Sequence, residues 1–435
     1  MEIRNILETL TTEEKAALVS GTDFMYTNPI PRLGLPSLRM ADGPHGLRVQ
    51  NGRGDNGIAG SEPATAFPTA ACVASSWNPE NAYRMGEAIA EECRHYGVDL
   101  LLGPGVCIKR NPLCGRNFEY FSEDPILSGK MAAAEVRGLQ SKGIGASVKH
   151  FALNNAENYR FMGDSVCDMR AIREIYLKAF EIIVKESEPY TVMCAYNKIN
   201  GEYCSENQWL LTEILRKEWG FSGAVLSDWG AVHDRVRGLK AGLDLEMPGD
   251  TAVCRRQILD EVRTDIGAAE ALDRAAGNIL KLIGRLEKKP GNPDAGFCTH
   301  HALAAKIAED SAVLLKNDGG ALPLKDEKIL VAGDLFKKMR YQGAGSSMIR
   351  PWKIVSAKDA FDERGARYIF CRGYTENQTA PNHGLTGEAV AEAKKCEKIL
   401  VFAGLTELIE SEGADRSDMK LPENQLALID ALLRI

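Results

Sequence analysis

Long apolar runs are missing from this sequence. The N-terminus, Met1-Glu2-Ile3-Arg4-Asn5, leads directly into a polar helical pattern, and no later stretch reaches membrane-spanning length. Neither a secretory leader nor a membrane anchor is expected, and the expected location is the cytoplasm. An excess of basic charge is also missing. Lys and Arg number 53 against 60 Asp and Glu, giving a formal net charge of −7 with no basic stripe. Nucleic acid and membranes are therefore not expected partners.

Ligand-spaced cysteines are absent too. The 11 cysteines are an odd number without CxxC spacing, and Cys72, Cys107, Cys194 and Cys371 lie inside apolar runs. They read as reduced, buried small hydrophobes, with no disulfide framework and no structural zinc. No HExxH, no Walker loop, no GxGxxG opening a helix and no GxSxG elbow occurs. The chemistry expected here needs neither metal nor cofactor.

What is present is a long alternation of short apolar strands and amphipathic helices. Strands are expected at 37–41, 70–75, 98–102, 146–150, 190–196, 224–228 and 243–247. Helices are expected at 78–95, 168–187, 208–219 and 251–287. Alternation of this length favours an α/β fold of the (β/α)8 TIM-like barrel type over residues 1–288. The seven visible strands are one fewer than that pattern needs. The Lys-Lys-Pro-Gly-Asn-Pro-Asp run at 288–294 has linker composition, and 289–300 is taken as the linker. A second α/β pattern then fills 301–435, with helices at 301–315, 388–396 and 423–435 and strands near 328–333, 366–371 and 398–404.

The most informative stretch is Gly223-Ala224-Val225-Leu226-Ser227-Asp228-Trp229-Gly230. An apolar strand ends in a carboxylate, and a flat aromatic follows. Asp228 is either a cap of the next helix or a reacting group held at a strand tip. Other strand ends are polar as well. Asp42, Lys149, His150 and Tyr196 lie at them, and Arg116 lies in the excursion after the strand at 98–102. Each has a plainer alternative. Arg116 could form a surface ion pair with Glu119 or Glu123, Lys149 could balance an inward Asp, and His150 could be a satisfied core histidine. Met193 and Tyr196 could serve packing alone. Together they suit a sugar, whose hydroxyls need donors and acceptors and whose glycosidic bond needs two carboxylates. The second carboxylate is sought in the loop Thr406-Glu407-Leu408-Ile409-Glu410-Ser411-Glu412-Gly413, which is otherwise a solvated charged loop.

The chain resembles glycoside hydrolase family 3, and most closely its bacterial β-glucosidases. The matching runs are Arg39-Met40-Ala41-Asp42-Gly43-Pro44-His45-Gly46, Gly115-Arg116-Asn117-Phe118-Glu119-Tyr120-Phe121-Ser122-Glu123-Asp124-Pro125, Lys149-His150-Phe151, Val192-Met193-Cys194-Ala195-Tyr196-Asn197 and Ser227-Asp228-Trp229. Further on they are Tyr341-Gln342-Gly343-Ala344-Gly345-Ser346-Ser347 and Glu410-Ser411-Glu412-Gly413-Ala414-Asp415-Arg416. The resemblance implies a retaining enzyme acting on terminal β-D-glucosyl residues. In it the aspartate matching Asp228 is the nucleophile. The glutamate matching Glu412 is the acid/base, with Glu410 as second choice. Asp42, Arg116, Lys149, His150, Met193, Tyr196 and Trp229 would form the sugar subsite. The implied substrate is a small β-glucoside or an oligosaccharide, and self-association into a homo-oligomer stays open.

Two departures qualify this. Phe151 is followed by Ala152-Leu153-Asn154-Asn155, which differs from the family's N-acetylglucosaminidases. The second α/β part also corresponds to only about half of the family's sandwich, so a shortened chain, poorly stable alone, is expected. Alternatives are an inactive or weakly active sugar-binding remnant, and β-xylosidase-type specificity. A phosphate-ester aldolase on the same fold lacks a phosphate loop and a Schiff-base lysine in an apolar pocket.

Overall fold

The computed structural model describes residues 3–52, 60–249, 253–286 and 294–435. Five short strands form one sheet: β1 (Met40–Asp42), β2 (Leu100–Leu102), β3 (Gly145–Phe151), β4 (Thr191–Cys194) and β5 (Ala224–Ser227). They lie side by side in chain order, and every neighbouring pair is parallel. All their residues are buried, which explains why they read as nearly continuous apolar runs.

Alternate residues serve different cores. Ala41, Leu101, Val192 and Val225 pack with Met85 and Ile89 of helix Pro79–Tyr96 and with Met131 and Val136 of helix Pro125–Ser141. Met40, Leu100, Leu102, Met193 and Leu226 join Leu245 and Met247 in a second cluster. Beyond β5 the described residues continue the sheet only through single parallel bridges, Leu226 to Leu245 and Ser20 to Glu246. No helix among the described residues is long and apolar enough to cross a membrane. All 11 cysteines are free; Cys107, Cys194 and Cys371 are buried as expected, whereas Cys72 is only half-buried.

Several expectations need correction. Ala70–Ser75 is a helix, not a strand. Its buried residues, Ala70, Val73 and Ala74, have helical spacing that a run of six residues is too short to distinguish from a strand. Residues 251–287 do not form one helix. Val253–Glu261 and Ile266–Arg285 are separate, and Asp265 starts the second by accepting from Ala268 N. Helix Phe297–Asp310 begins and ends earlier than 301–315. After it Val313, Leu314 and Leu315 are exposed. Helix Pro125–Ser141, capped by Asp124, was not among the expected elements. The 288–294 linker lies outside the described residues apart from Asp294.

A second parallel sheet has the order β7-β6-β8, built from β6 (Ile329–Ala332), β7 (Tyr368–Cys371) and β8 (Lys398–Val401). Leu330 and Ala332 face Ala389, Ala393 and Leu428 on one side. Ile329 and Val331 face Phe336 on the other. The two parts of the chain meet where Arg350–Pro351 pairs with Pro63–Ala64. They meet again where Arg48 Nη1 donates to the carbonyls of Gly345 and Ser346, each at 3.1 Å.

Candidate active site

Asp228 follows β5 directly, and its backbone is fixed from three sides. Ser227 Oγ accepts from Met247 N at 2.8 Å, Asp228 N donates to Cys194 O at 3.2 Å, and Gly230 N donates to Met247 O at 3.0 Å. Trp229 N donates to Asp228 Oδ1 at 2.8 Å. Oδ2 is buried and has no hydrogen-bond partner among the described residues, with His150 Nε2 at 3.6 Å. Burial raises the carboxyl's pKa, against the charges of Arg116 and Lys149. Capping falls to another residue: Asp234 accepts from Val236 N and Arg237 N at the start of helix Arg235–Ala241. Trp229 is held by its indole N–H, which donates to Phe24 O at 2.7 Å.

Arg116 does pair with Glu119, but in the interior. Nε and Nη2 reach the two carboxylate oxygens at 2.8 and 2.9 Å, and both side chains are fully buried. Lys149 Nζ stands 3.4 Å from the same carboxylate. Glu119 therefore holds two cations against the site. His150 Nδ1 lies 3.0 Å from the Tyr120 hydroxyl. Burial, with Arg116 and Lys149 adding to it, drives the imidazole well below its usual pKa, so it is neutral. Its other ring nitrogen, Nε2, faces Asp228. Asp42, at the end of β1, is pushed up to about 6 by burial, against the charge of Lys149. Met193 is fully buried in the second cluster.

The 406–416 loop separates its two candidate glutamates. Glu410 Oε2 is committed to Arg340 Nη1 at 2.7 Å. It lines a cavity of about 980 Å³ with Phe118, Tyr341 and Lys109, and Asp228 is not part of that lining. Glu412 turns the other way. Its Oε1 accepts from Arg160 Nη1 at 2.8 Å and stands 3.5 Å from Arg116 Nη1. Its Oε2 accepts from Ser346 N at 2.6 Å. Arg116 and Arg160 outweigh burial and hold Glu412 far below the usual carboxylate range. The Arg116 and Arg160 charges also act on Asp228, so both carboxylates face the same cations.

The loop is gripped by the first part of the chain. The Asp415 carboxylate accepts from Gly115 N at 3.1 Å, from Glu157 N at 2.9 Å and from Asn158 N at 3.0 Å. Arg416 N donates to Leu113 O at 2.8 Å.

Residues 33–282 match the glycosyl hydrolase family 3 N-terminal domain, and residues 312–435 match the family's C-terminal domain. The chain belongs to glycoside hydrolase family 3. Among the family 3 relatives, thermostable β-glucosidase B of Acetivibrio thermocellus is 49% identical over 444 residues, covering 100% of this chain and 58% of the relative. An exo-α-(1→6)-L-arabinopyranosidase of Bifidobacterium longum is 46% identical over 435 residues, covering 97% and 57%. The solved family 3 β-glucosidase of Bifidobacterium adolescentis superposes with a TM-score of 0.91 at 44% identity, covering 98% of this chain and 62% of that one. β-Glucosidase 3B of Thermotoga neapolitana in complex with glucose gives 0.89 at 37% identity, covering 99% and 67%. The chain thus spans a little over half the length of these curated relatives. The likeness establishes an α/β fold in two domains.

Within this family 3 chain, sequence reasoning gave no role to Arg160, Tyr120, Glu157 and Asp415, and it put the Arg116–Glu119 pair at the surface rather than in the interior. Arg160 lies over the Tyr196 ring, its Cζ 4.7 Å from the centroid, and bridges Glu157 and Glu412. Residues 152–163 form an irregular excursion after β3, without periodicity to mark it. The available signal was Glu157 and Arg160, two opposite charges just past a strand tip.

Proposed function

We propose that this chain forms the catalytic unit of a retaining β-glucosidase, with Asp228 as nucleophile and Glu412 as acid/base. The observation that carries this is Asp228 Oδ2, a buried strand-tip oxygen without a hydrogen-bond partner among the described residues. Oδ1 is tethered by Trp229 N, which leaves Oδ2 to react. In the first step Oδ2 bonds to the anomeric carbon, and the bond to the aglycone oxygen breaks. Glu412 gives that oxygen its proton. In the second step water attacks the same carbon, Glu412 takes the water's proton, and the Asp228 ester is released. The carboxyls of such a pair approach to roughly 5–5.5 Å.

The remaining residues suit a −1 sugar subsite. Asp42 accepts from sugar hydroxyls. Arg116, Lys149 and neutral His150 donate to them. Tyr196 and Trp229 supply walls, with Met193 beneath. Such buried donors disfavour an analogue that lacks their partner hydroxyl. The grip of Asp415 on residues 115, 157 and 158 supports an enzyme over a sugar-binding remnant, because the Glu412 loop is held. A TIM-like barrel is supported by the alternation of strand residues between two cores and by the bridges through Leu245 and Glu246.

A second specificity is favoured by one observation: a 46% identical relative is an arabinopyranosidase. That sugar is a pentopyranoside, without the hydroxymethyl group of glucose. A panel of aryl β-glucoside, β-xyloside and α-L-arabinopyranoside tests both readings. The glucoside should give the highest kcat/KM, and Asp228→Ala should abolish all turnover. Preference for a pentopyranoside would overturn the glucosidase reading.

A further inference from the structure

Glu157 is buried, and none of the roles above uses its side chain. Its Oε2 accepts from Gly413 N at 2.9 Å, the peptide next to Glu412. The same oxygen accepts from Arg160 Nη1 at 2.8 Å. Arg160 Nη1 also donates to Glu412 Oε1 at 2.8 Å. One guanidinium nitrogen therefore stands between two carboxylates. The guanidinium is confined by aromatic faces, 4.7 Å from the Tyr196 centroid and 5.4 Å from that of Phe161. Glu157 Oε1 is buried and has no hydrogen-bond partner among the described residues.

This arrangement bears on a conflict in the site. A general acid must reach the transition state carrying its proton. Glu412 is instead held as a carboxylate, facing Arg116 and Arg160. Glu119, Asp42 and Glu157 face it with like negative charge, and Tyr196 lies in the same field. Arg116 is already bound to Glu119 through two nitrogens. Arg160 is the cation whose allegiance can change, and Glu157 is the group beside it.

We propose that Glu157 is a positioning residue for the acid/base step: it anchors the Glu412 loop through Gly413 and takes the Arg160 guanidinium whenever Glu412 carries the proton. This rests on the assignment of Glu412 as acid/base. Before bond cleavage Arg160 pairs with Glu157 alone, and Glu412 is a neutral acid. The proton passes from Glu412 to the aglycone oxygen. Glu412 is then a carboxylate, and Nη1 is shared between the two carboxylates as seen here. When water attacks, Glu412 regains a proton and Arg160 returns to Glu157. Glu157 changes its partner and not its proton count.

The test uses the full chain with Glu157→Gln, which keeps an acceptor for Gly413 N but not the charge. Arg160 should then stay with Glu412. For phenyl β-glucoside, whose leaving group needs protonation, kcat/KM should fall by about tenfold or more. For 2,4-dinitrophenyl β-glucoside, which needs little, it should change by less than about threefold. The alkaline limb of the phenyl glucoside profile should move down by about one pH unit. Equal losses for both substrates, or an unmoved limb, would overturn the proposal. Glu157→Asp keeps the charge and should leave the limb in place with partial activity, so it decides the matter if Glu157→Gln does not fold. A displaced limb in Glu157→Asp counts against the proposal. Glu412→Gln, assayed in parallel, separates the two readings. If it slows both substrates equally, the acid/base assignment itself fails. If it slows only the phenyl glucoside and Glu157→Gln changes nothing, only the role of Glu157 fails.

Discussion

Gly115 is the place where the smallest change should have the largest effect. A Cβ there would fall far inside contact distance of the carbonyl oxygens of Ala414 and Ser411, the residues that flank Glu412 and Gly413. The backbone at Gly115 is not left-handed, so space alone requires glycine. Both obstacles are backbone atoms, and no side chain can swing aside. In Gly115→Ala the 411–414 loop has to withdraw by roughly 1 Å or more to reach ordinary contact. Asp415 then loses part of its hold on Gly115 N. A misplacement of about 1 Å costs a catalytic group roughly 10²-fold. The expected result is a loss of about that size in kcat/KM for phenyl β-glucoside, with the melting temperature within a few degrees of the parent. Gly284→Ala is the control: nothing lies within 4 Å of its added Cβ, and it sits in helix Ile266–Arg285. It should leave activity intact and stabilise by up to about 1 kcal/mol. Near-parental activity in Gly115→Ala would refute the close docking of the Glu412 loop.

Three further outcomes follow from buried ionisable groups. Asp42, pushed up to about 6 mainly by burial, should lose its charge as pH falls through that value. KM for an aryl β-glucoside should therefore rise below about pH 6, and a KM flat to pH 5 would contradict this. His300 lies 2.8 Å from Glu92 Oε1 and 3.2 Å from Glu91 Oε2. Burial opposes its charge, but the two carboxylates outweigh burial and raise its pKa. A raised folded pKa gives stability that is complete below the unfolded value and is lost as pH rises through the folded one. Thermal melts should show the parent losing more stability than His300→Gln between pH 6 and 9, and parallel losses would contradict it. Glu135 is buried in helix Pro125–Ser141, and neither oxygen has a hydrogen-bond partner among the described residues. Burial raises its pKa, so it weakens the fold progressively as pH rises above the unfolded value. Glu135→Met should stabilise by about 1–3 kcal/mol in urea denaturation at pH 7, and destabilisation would count against it.

The strand tips were legible because their physics is local. Buried parallel strands are apolar to their last residue, so Asp42, His150 and Asp228 stand out as breaks in the pattern. Ala70–Ser75 was misread for the same reason, since a short apolar run has no length to show its period. Arg160, Glu157 and Asp415 were not legible, because their meaning lies in contacts more than 250 residues apart in the chain. No local periodicity encodes that distance. The Arg116–Glu119 pair was visible at i,i+3 spacing but not its burial, which depends on elements from both parts of the chain.

The central claim is that Asp228 forms a covalent bond to the sugar. It is tested most directly by incubating the full chain with 2,4-dinitrophenyl 2-deoxy-2-fluoro-β-glucoside, whose glycosyl-enzyme hydrolyses slowly, followed by peptide mass mapping. The account predicts one fluoroglucosyl label, on Asp228 in the peptide that carries Ser227 and Trp229. A label on another carboxylate, or turnover of β-glucosides with no label at all, would contradict it.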